Sequence, residues 1–428
     1  MHVVMRYGRK GLSVDLPDGL RADVIRKGTM PVLKEPAEAV RSALSHPQGS
    51  KSLKEVIRGQ RDICILICDN TRPVPHGIIL PVLIGELIDA GARPDSITVL
   101  VATGLHRPNE GEELSELIGS DWVLQTVKVV NHFAGKDEDH VLLGTTPFGT
   151  PVRLDRRFVN AGVRIAVGLV EPHFMAGYSG GRKLIAPGIA HQDTIRILHS
   201  TRILNHERIA NCVLDGNPLH EEQLCIVEMA GGGFALNTVI DEDRNLSFVN
   251  FGEIRQSHLD AVSFARPYFE IPVPRRYKTV ITSAAGYPLD RNYYQTVKGV
   301  VGAAGILAPG GDLFIVSECS EGLGTAEYAE SQRRLIDAGI DRFLEETSQK
   351  QYASIDEWES VMQAKAMKAG TIHLYSEGLT VEGHALTGVR RIRSLEEAVE
   401  ECVAVKNDRR VAVIPEGPYV IPIYRPGN

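Results

Sequence analysis

The sequence predicts an α/β protein of two domains, each built on a mostly parallel sheet flanked by helices. Two observations carry that prediction. Short apolar runs alternate with Gly/Pro/Asp-rich turns and longer helical stretches along most of the chain, the pattern of strands joined by crossover helices. Several of the runs, such as Ile63-Cys64-Ile65-Leu66-Ile67, are apolar at every position, as strands covered on both faces should be. A length of 428 residues is more than one hydrophobic core usually serves.

Taken in order, Met1–Pro17 reads as two antiparallel strands joined by the polar turn Gly8-Arg9-Lys10-Gly11. Strands are expected at Asp62–Cys68, Ser96–Ala102, Arg164–Val170, Thr279–Ser283, Asp312–Ser317, Thr371–Tyr375 and Arg410–Ile414, with helices over Ile78–Ala90 and from Glu321 onward. Between Phe264 and Lys278 three prolines interrupt any periodicity, so a linker is placed there. The resulting division is a domain over 1–265, a linker over 266–277 and a second α/β domain over 278–408. The last segment, 409–428, is open to a return to the first domain.

Composition narrows the function. The chain is 43% hydrophobic and 24% charged with a net charge of −7, an ordinary globular balance. Its Lys and Arg are scattered rather than massed, which argues against nucleic acid as a partner. No apolar run approaches the ~18 residues of a membrane span, and no apolar run follows the basic N-terminus as in a signal peptide. Six cysteines without a CxxC pair do not form a disulfide framework. Cys64 and Cys68 read as core, and the protein as cytoplasmic.

In parallel sheets ligands gather at the carboxyl ends of strands, and four expected strands end in unusual polar sequences. The first ends ICDNTRPVP, with Asp69, Asn70, Thr71 and Arg72 in the turn; the second ends VATGLHRP, with His106 and Arg107. The third ends VEPHFMAGYSGGRKLIAPG, with Glu171, His173, Tyr178, Ser179, Arg182 and Lys183; the fourth ends SAAGYPLDRNYYQTVKG, with Asp290, Tyr294, Gln295 and Lys298. Gly177–Lys183 is the most informative stretch. Its backbone N–H groups could cradle a phosphate, although its spacing fits neither a Walker A loop nor a GxGxxG turn. The plain alternative is a tight turn carrying a solvated Arg-Lys pair.

His106 and His173, each at a strand end, could form an acid/base pair, since imidazole titrates near neutrality. His199 reads either as a half-buried helix residue or as a metal ligand. His191, His206 and His220 lie in polar stretches and read as surface. Ala230–Gly233 reads as a loop and Gly299–Gly305 as part of a closely packed helix.

The motifs DNTRP, GLHRP, EPHFMAGYSGGRK, APG, the later His199 and YYQTVKG together resemble the nickel-pincer nucleotide-dependent lactate racemase family of 2-hydroxyacid racemases and epimerases. The match runs through most of the chain, and the EPH…GYSGGRK motif is its most specific part. The resemblance implies an isomerase with its active site in the cleft between two domains. It implies nickel held by a pyridinium-3,5-bisthiocarboxylic acid mononucleotide linked covalently to Lys183 through a thioamide. His199 then completes nickel coordination, and His106 and His173 alternate as acid and base. Arg72, Tyr294, Gln295 and Lys298 line the substrate and cofactor site, with Trp358 a further wall. Asp69, Arg72, Ser179, Gly180 and Gly181 are implied as cofactor contacts. The partners implied are a small 2-hydroxyacid (lactate, malate, an aromatic hydroxyacid or a sugar acid) and the cofactor-synthesis enzymes that mature the protein.

The implied reaction removes C2 hydrogen as hydride because the α-proton of a hydroxyacid is too weakly acidic for abstraction at neutral pH. One histidine takes the hydroxyl proton, and the other supplies it when hydride returns to the opposite face. Among basic groups that could favour a dicarboxylate, Arg107, Arg182 and Arg291 are candidates, with solvated arginines the plain alternative. Two rival readings are an NAD-dependent 2-hydroxyacid dehydrogenase and a non-catalytic nickel- or cofactor-binding protein. The first lacks its GxGxxG turn; the second should lack one of the two histidines.

Overall fold

A computed structural model describes residues 1–60 and 62–426, and the chain divides into two compact units. One comprises Thr29–Leu198 and Val213–Arg266; the other comprises Met1–Gly28, His199–Cys212 and Pro267–Asn428.

The first of these units is organised on a six-stranded sheet ordered Leu246–Glu253, Phe234–Ile240, Val163–Leu169, Ile63–Cys68, Ile97–Ala102, Lys128–Asn131. All neighbours are parallel except the first two, which form an antiparallel pair. Register places Ile65 beside both Val99 and Ile165. These central side chains are fully buried, which is why the run alternates with nothing polar. In chain order the sheet reads 6-5-4-1-2-3, so the strand order reverses between Ile63–Cys68 and Val163–Leu169. That reversal opens a crevice beyond the carboxyl ends of these two strands, where doubly wound sheets take ligands. Helices His76–Asp89 and Pro36–Ser45 cover the sheet through Ile79, Leu83, Val40 and Leu44.

The other unit carries a second six-stranded sheet, ordered Arg390–Arg391, Gly370–Tyr375, Leu307–Val316, Tyr277–Ser283, Arg410–Ile414, Arg21–Val24, with every neighbouring pair parallel. The strand Arg410–Ile414, left open between domains by the sequence, thus sits inside this sheet. Its neighbour Arg21–Val24 brings residues 1–28 here as well, so the unit is assembled from three stretches of chain rather than one. The antiparallel pair His2–Met5 and Leu12–Asp15 forms as expected around the Gly8–Gly11 turn, and its Val3, Met5 and Val14 enter this core.

All seven expected strands are present, with ends shifted by a few residues. The stretch read as a linker is structured: helix Ile254–Phe269 runs through Pro267, and Glu270–Val273 pairs with Ile421–Tyr424. A two-stranded pair leaves one side of each strand without ladder bonds, so Pro272 and Pro422 are tolerated where their periodicity looked broken. The helix expected from Glu321 starts at Ala326 instead, capped by Thr325 accepting from Tyr328 N. Gly322 and Gly324, both at positive φ, first turn the chain.

Candidate active site

Asp69 follows the central strand Ile63–Cys68 and is buried. Its Oδ2 accepts a 2.6 Å hydrogen bond from Nδ1 of His106, which follows the neighbouring strand Ile97–Ala102. Its Oδ1 accepts from the amide and hydroxyl of Thr71, at 3.2 and 2.5 Å. Burial alone would raise the Asp69 carboxyl, but these donors outweigh it and hold the group below its ordinary value. A carboxylate at Nδ1 selects the neutral tautomer with the proton on Nδ1, leaving His106 Nε2 bare. The imidazole side chain is 61% exposed. A bare nitrogen on an oriented, accessible ring can accept a proton.

Across the strand-order reversal, Glu171 follows Val163–Leu169 and pairs with the Arg72 guanidinium. The Arg72–Glu171 pair therefore spans the crevice mouth between the first and fourth strands of this sheet. Beyond Glu171 the chain folds into a tight hairpin pairing Pro172–His173 with Gly177–Tyr178. Gly177 has φ +76, and a Cβ there would lie 2.1 Å from Val213 O, so the hairpin requires glycine. Within it, His173 Nδ1 accepts from the amides of Met175 and Ala176, both at 3.2 Å. His173 Nε2 lies 3.1 Å from Lys183 Nζ.

The Ser179–Gly181 turn is held from beneath. Ser179 Oγ donates inward to Leu169 O at 2.7 Å and accepts from Glu171 N, while its amide donates to Glu171 O at 2.9 Å and its carbonyl lies 2.8 Å from His258 Nε2. Gly180 and Gly181 both take positive φ. Arg182 is buried, contrary to a solvated Arg-Lys pair. Its Nη2 donates to Ala176 O and Tyr178 O, and Nη1 lies 2.9 Å from His258 Nε2. Burial lowers the guanidinium to about 9. It is the strut that holds the turn carrying Lys183 against helix Ile254–Phe269, and not a free cation for substrate.

The remaining expected residues lie in the other unit. Helix Tyr293–Ala304, capped by Asn292, carries Tyr294, Gln295 and Lys298. Lys298 Nζ donates to Gln295 Oε1 at 2.5 Å. From helix Glu357–Met367, Trp358 Nε1 donates to Tyr294 OH at 3.0 Å. His199 does not lie on a helix: Gln192–Leu198 ends one residue earlier. Its ring sits 4.9 Å from that of Trp358. Next to Trp358, Glu359 is buried with Oε1 lacking a hydrogen-bond partner. Burial pushes its carboxyl up to about 8, with Lys298 opposing and Asp356 adding to the rise. Asp290, grouped by sequence with the pocket residues, is instead buried and accepts from the amides of Gly8 and Glu318.

Some functional partners escaped the sequence. Glu171 was visible as a polar strand end, but its pairing with Arg72, 99 positions away, was not. Glu359 and His258 carry no motif signal. Arg107 is committed to Glu113 through two 2.7 Å bonds, and Arg291 lies 3.6 Å from Glu321. His191 and His220, read as surface, are buried. His191 packs edge-on against His140 between Arg153, Asp137 and Asp193, and His220 sits in the first turn of helix Pro218–Met229. The polar neighbours of His191 mark pairing rather than exposure, whereas His220 is buried with Nδ1 lacking a hydrogen-bond partner. Cys64 is buried and Cys68 half-buried, as core thiols. Among the described residues no three His, Cys, Asp or Glu side chains cluster to hold a metal ion by themselves, and no helix is long and apolar enough to cross a membrane.

Residues 7–211 match the family model described as the lactate racemase N-terminal domain, and residues 274–422 match the lactate racemase C-terminal domain. The chain is 30% identical to the lactate racemase of Thermoanaerobacterium thermosaccharolyticum, over 98% of this chain and 99% of that protein. It is 31% identical to the lactate racemase of Lactiplantibacillus plantarum over 90% of each. The solved structure of the lactate racemase apoprotein from T. thermosaccharolyticum superposes with a TM-score of 0.91 at 29% identity, covering 99% of this chain and 100% of that one. A crystal structure of a Thermotoga maritima protein shares the fold at a TM-score of 0.69 and 16% identity, covering 93% and 100%.

Proposed function

We propose, from the premise that the chain belongs to the lactate racemase family and is an isomerase, that it racemises lactate or a related 2-hydroxyacid at C2. The observation that carries this reading is the grouping, at the carboxyl edge of one sheet, of two histidines and a lysine amine. His106 stands on buried Asp69, and His173 lies beside Lys183.

The residues fit the nickel-pincer nucleotide that the family resemblance implies. Lys183 offers a primary amine, the group a thioamide link needs, at the end of a glycine turn packed against Val170 and His258. His199 offers an imidazole as the protein's nickel ligand, and a metal held mainly by its own organic cofactor needs no cluster of protein ligands. When bound, the group supplies the acceptor for the hydrogen and electron pair leaving C2.

The chain's own residues do the proton work. His106 Nε2 takes the hydroxyl proton, and Asp69 stabilises the imidazolium so formed without itself being protonated. His173 is the opposite member of the pair. The two rings rest in opposite tautomers, because backbone amides face His173 Nδ1 and place its proton on Nε2. For His173 to take a proton at Nε2, its ring must give up those amide contacts. Arg72 is the proposed partner of the substrate carboxylate, exchanging Glu171 for it. Tyr294, Gln295, Lys298 and Trp358 are proposed substrate contacts, and Asp69, Ser179, Gly180 and Gly181 proposed cofactor contacts. Six cysteines without a CxxC pair suit the cytoplasm as the compartment of action.

The test is intact mass and nickel content of protein co-expressed with the cofactor-synthesis enzymes, with Lys183→Ala as control, followed by a chiral assay on D- and L-lactate. A nickel-bearing adduct absent from the control, with racemisation, is the expected result. An unmodified, metal-free chain from a host that matures a known relative would overturn the reading.

A further inference from the structure

The hydrogen-bond geometry around His173 has a consequence for Lys183 before any cofactor is attached. His173 Nδ1 faces two backbone N–H groups, from Met175 and Ala176. Both are obligate donors, so Nδ1 must accept. A ring that accepts at Nδ1 carries its single proton on Nε2. That Nε2–H points at Lys183 Nζ across 3.1 Å. An ammonium group has three N–H donors and no lone pair, so it cannot accept this bond, whereas a neutral amine can.

We infer that His173 holds Lys183 as a neutral, nucleophilic amine in the unloaded protein, so that the acid/base histidine of the mature site is first a positioning residue for covalent cofactor attachment. The inference rests on the function proposed above. It concerns the step before catalysis.

At this sheet edge Asp69 bonds His106 and Glu171 pairs with Arg72. Helices packed on the same turn contribute His220 and His258, both kept neutral by burial and by the nearby Arg182 charge. The same helix holds Glu222, which accepts from Thr146. In attachment the amine lone pair attacks the thiocarboxyl carbon. A C–N bond replaces a C–O bond, and water leaves with one amine proton and the thioacid proton. No oxidant or reductant is needed. The resulting thioamide nitrogen no longer accepts, which releases His173 Nε2–H toward the substrate.

Two measurements on cofactor-free full-length protein test this. Long-range ¹H–¹⁵N spectra of histidine-labelled protein near pH 7.5 should show His173, assigned by its loss in His173→Gln, as the Nε2–H tautomer. An Nδ1–H tautomer or an imidazolium would overturn the inference. Brief acetylation with acetic anhydride, read by peptide mass spectrometry, should modify Lys183 in native protein about tenfold faster than in His173→Phe, since an ordinary lysine with a pKa near 10.4 is almost wholly protonated at that pH. His173→Gln, whose amide can still donate, should recover part of the rate. Equal rates in all three folded proteins would refute the role. If an adduct still forms on Lys183 during co-expression, the functional reading survives that refutation. A reactive amine that never acquires the adduct would instead remove the functional reading and leave the tautomer assignment standing.

Discussion

Asp69 and His106 lie 37 residues apart in sequence and are joined by a 2.6 Å hydrogen bond from the imidazole Nδ1 to a buried carboxylate oxygen. The relationship sets which ring nitrogen is bare and where it points. It also makes Asp69 the residue through which His106 can be disabled without touching it.

Asp69→Asn keeps the shape of the side chain while removing its charge, and the amide can present an N–H to His106 in place of an acceptor. Racemisation should fall on the order of a hundredfold or more, the scale of a general base placed in the wrong tautomer. Cofactor loading, read by mass, is measured alongside, because Asp69 is also a proposed cofactor contact. Full activity in a loaded Asp69→Asn protein would show that His106 needs no orienting carboxylate.

The hairpin that carries His173 depends on Gly177. Alanine there combines φ +76 with a Cβ 2.1 Å from Val213 O. Gly177→Ala should lose on the order of 2–4 kcal/mol, since the clash is with backbone and adds to left-handed strain. Denaturant unfolding measures this directly. A change within experimental scatter would mean that the hairpin shifts freely.

Acid should destabilise the fold well above the carboxylate range. Burial lowers His76 to about 4 and His132 and His220 to about 3. Unfolded, each binds a proton near 6.5. Stability is therefore full above about pH 6.5 and falls as pH drops from there toward the folded values, by up to ~2 kcal/mol per histidine at pH 5. His132→Asn should flatten the fall in urea midpoint between pH 7.5 and 5. An unchanged slope would mean that His132 is protonated in the folded protein.

Trp358→Phe removes the indole donor to Tyr294 OH. The hydroxyl then lacks this partner, at a cost of ~1–3 kcal/mol if nothing replaces it. If Tyr294 contacts substrate, KM should rise more than kcat falls. A kcat loss at constant KM would place the pair elsewhere in the reaction.

What the sequence determined by itself was local. The α/β class follows from strand and helix periodicities, and the polar residues at strand ends follow from turn chemistry. Both are properties of a few neighbouring residues. His106, His173, Lys183 and Arg72 were visible for that reason. Only the tertiary structure decided the strand order that puts Asp69 and Glu171 on either side of one reversal point. Tertiary packing likewise buried Arg182, His191 and His220 despite their polar neighbours, and placed the first 28 residues with the second sheet. The His106 tautomer belongs to the same class, set by a carboxylate 37 positions away, whereas that of His173 is set within its own hairpin by the amides of Met175 and Ala176. Burial and hydrogen-bond partnership depend on residues tens to hundreds of positions apart, and no local pattern encodes that distance.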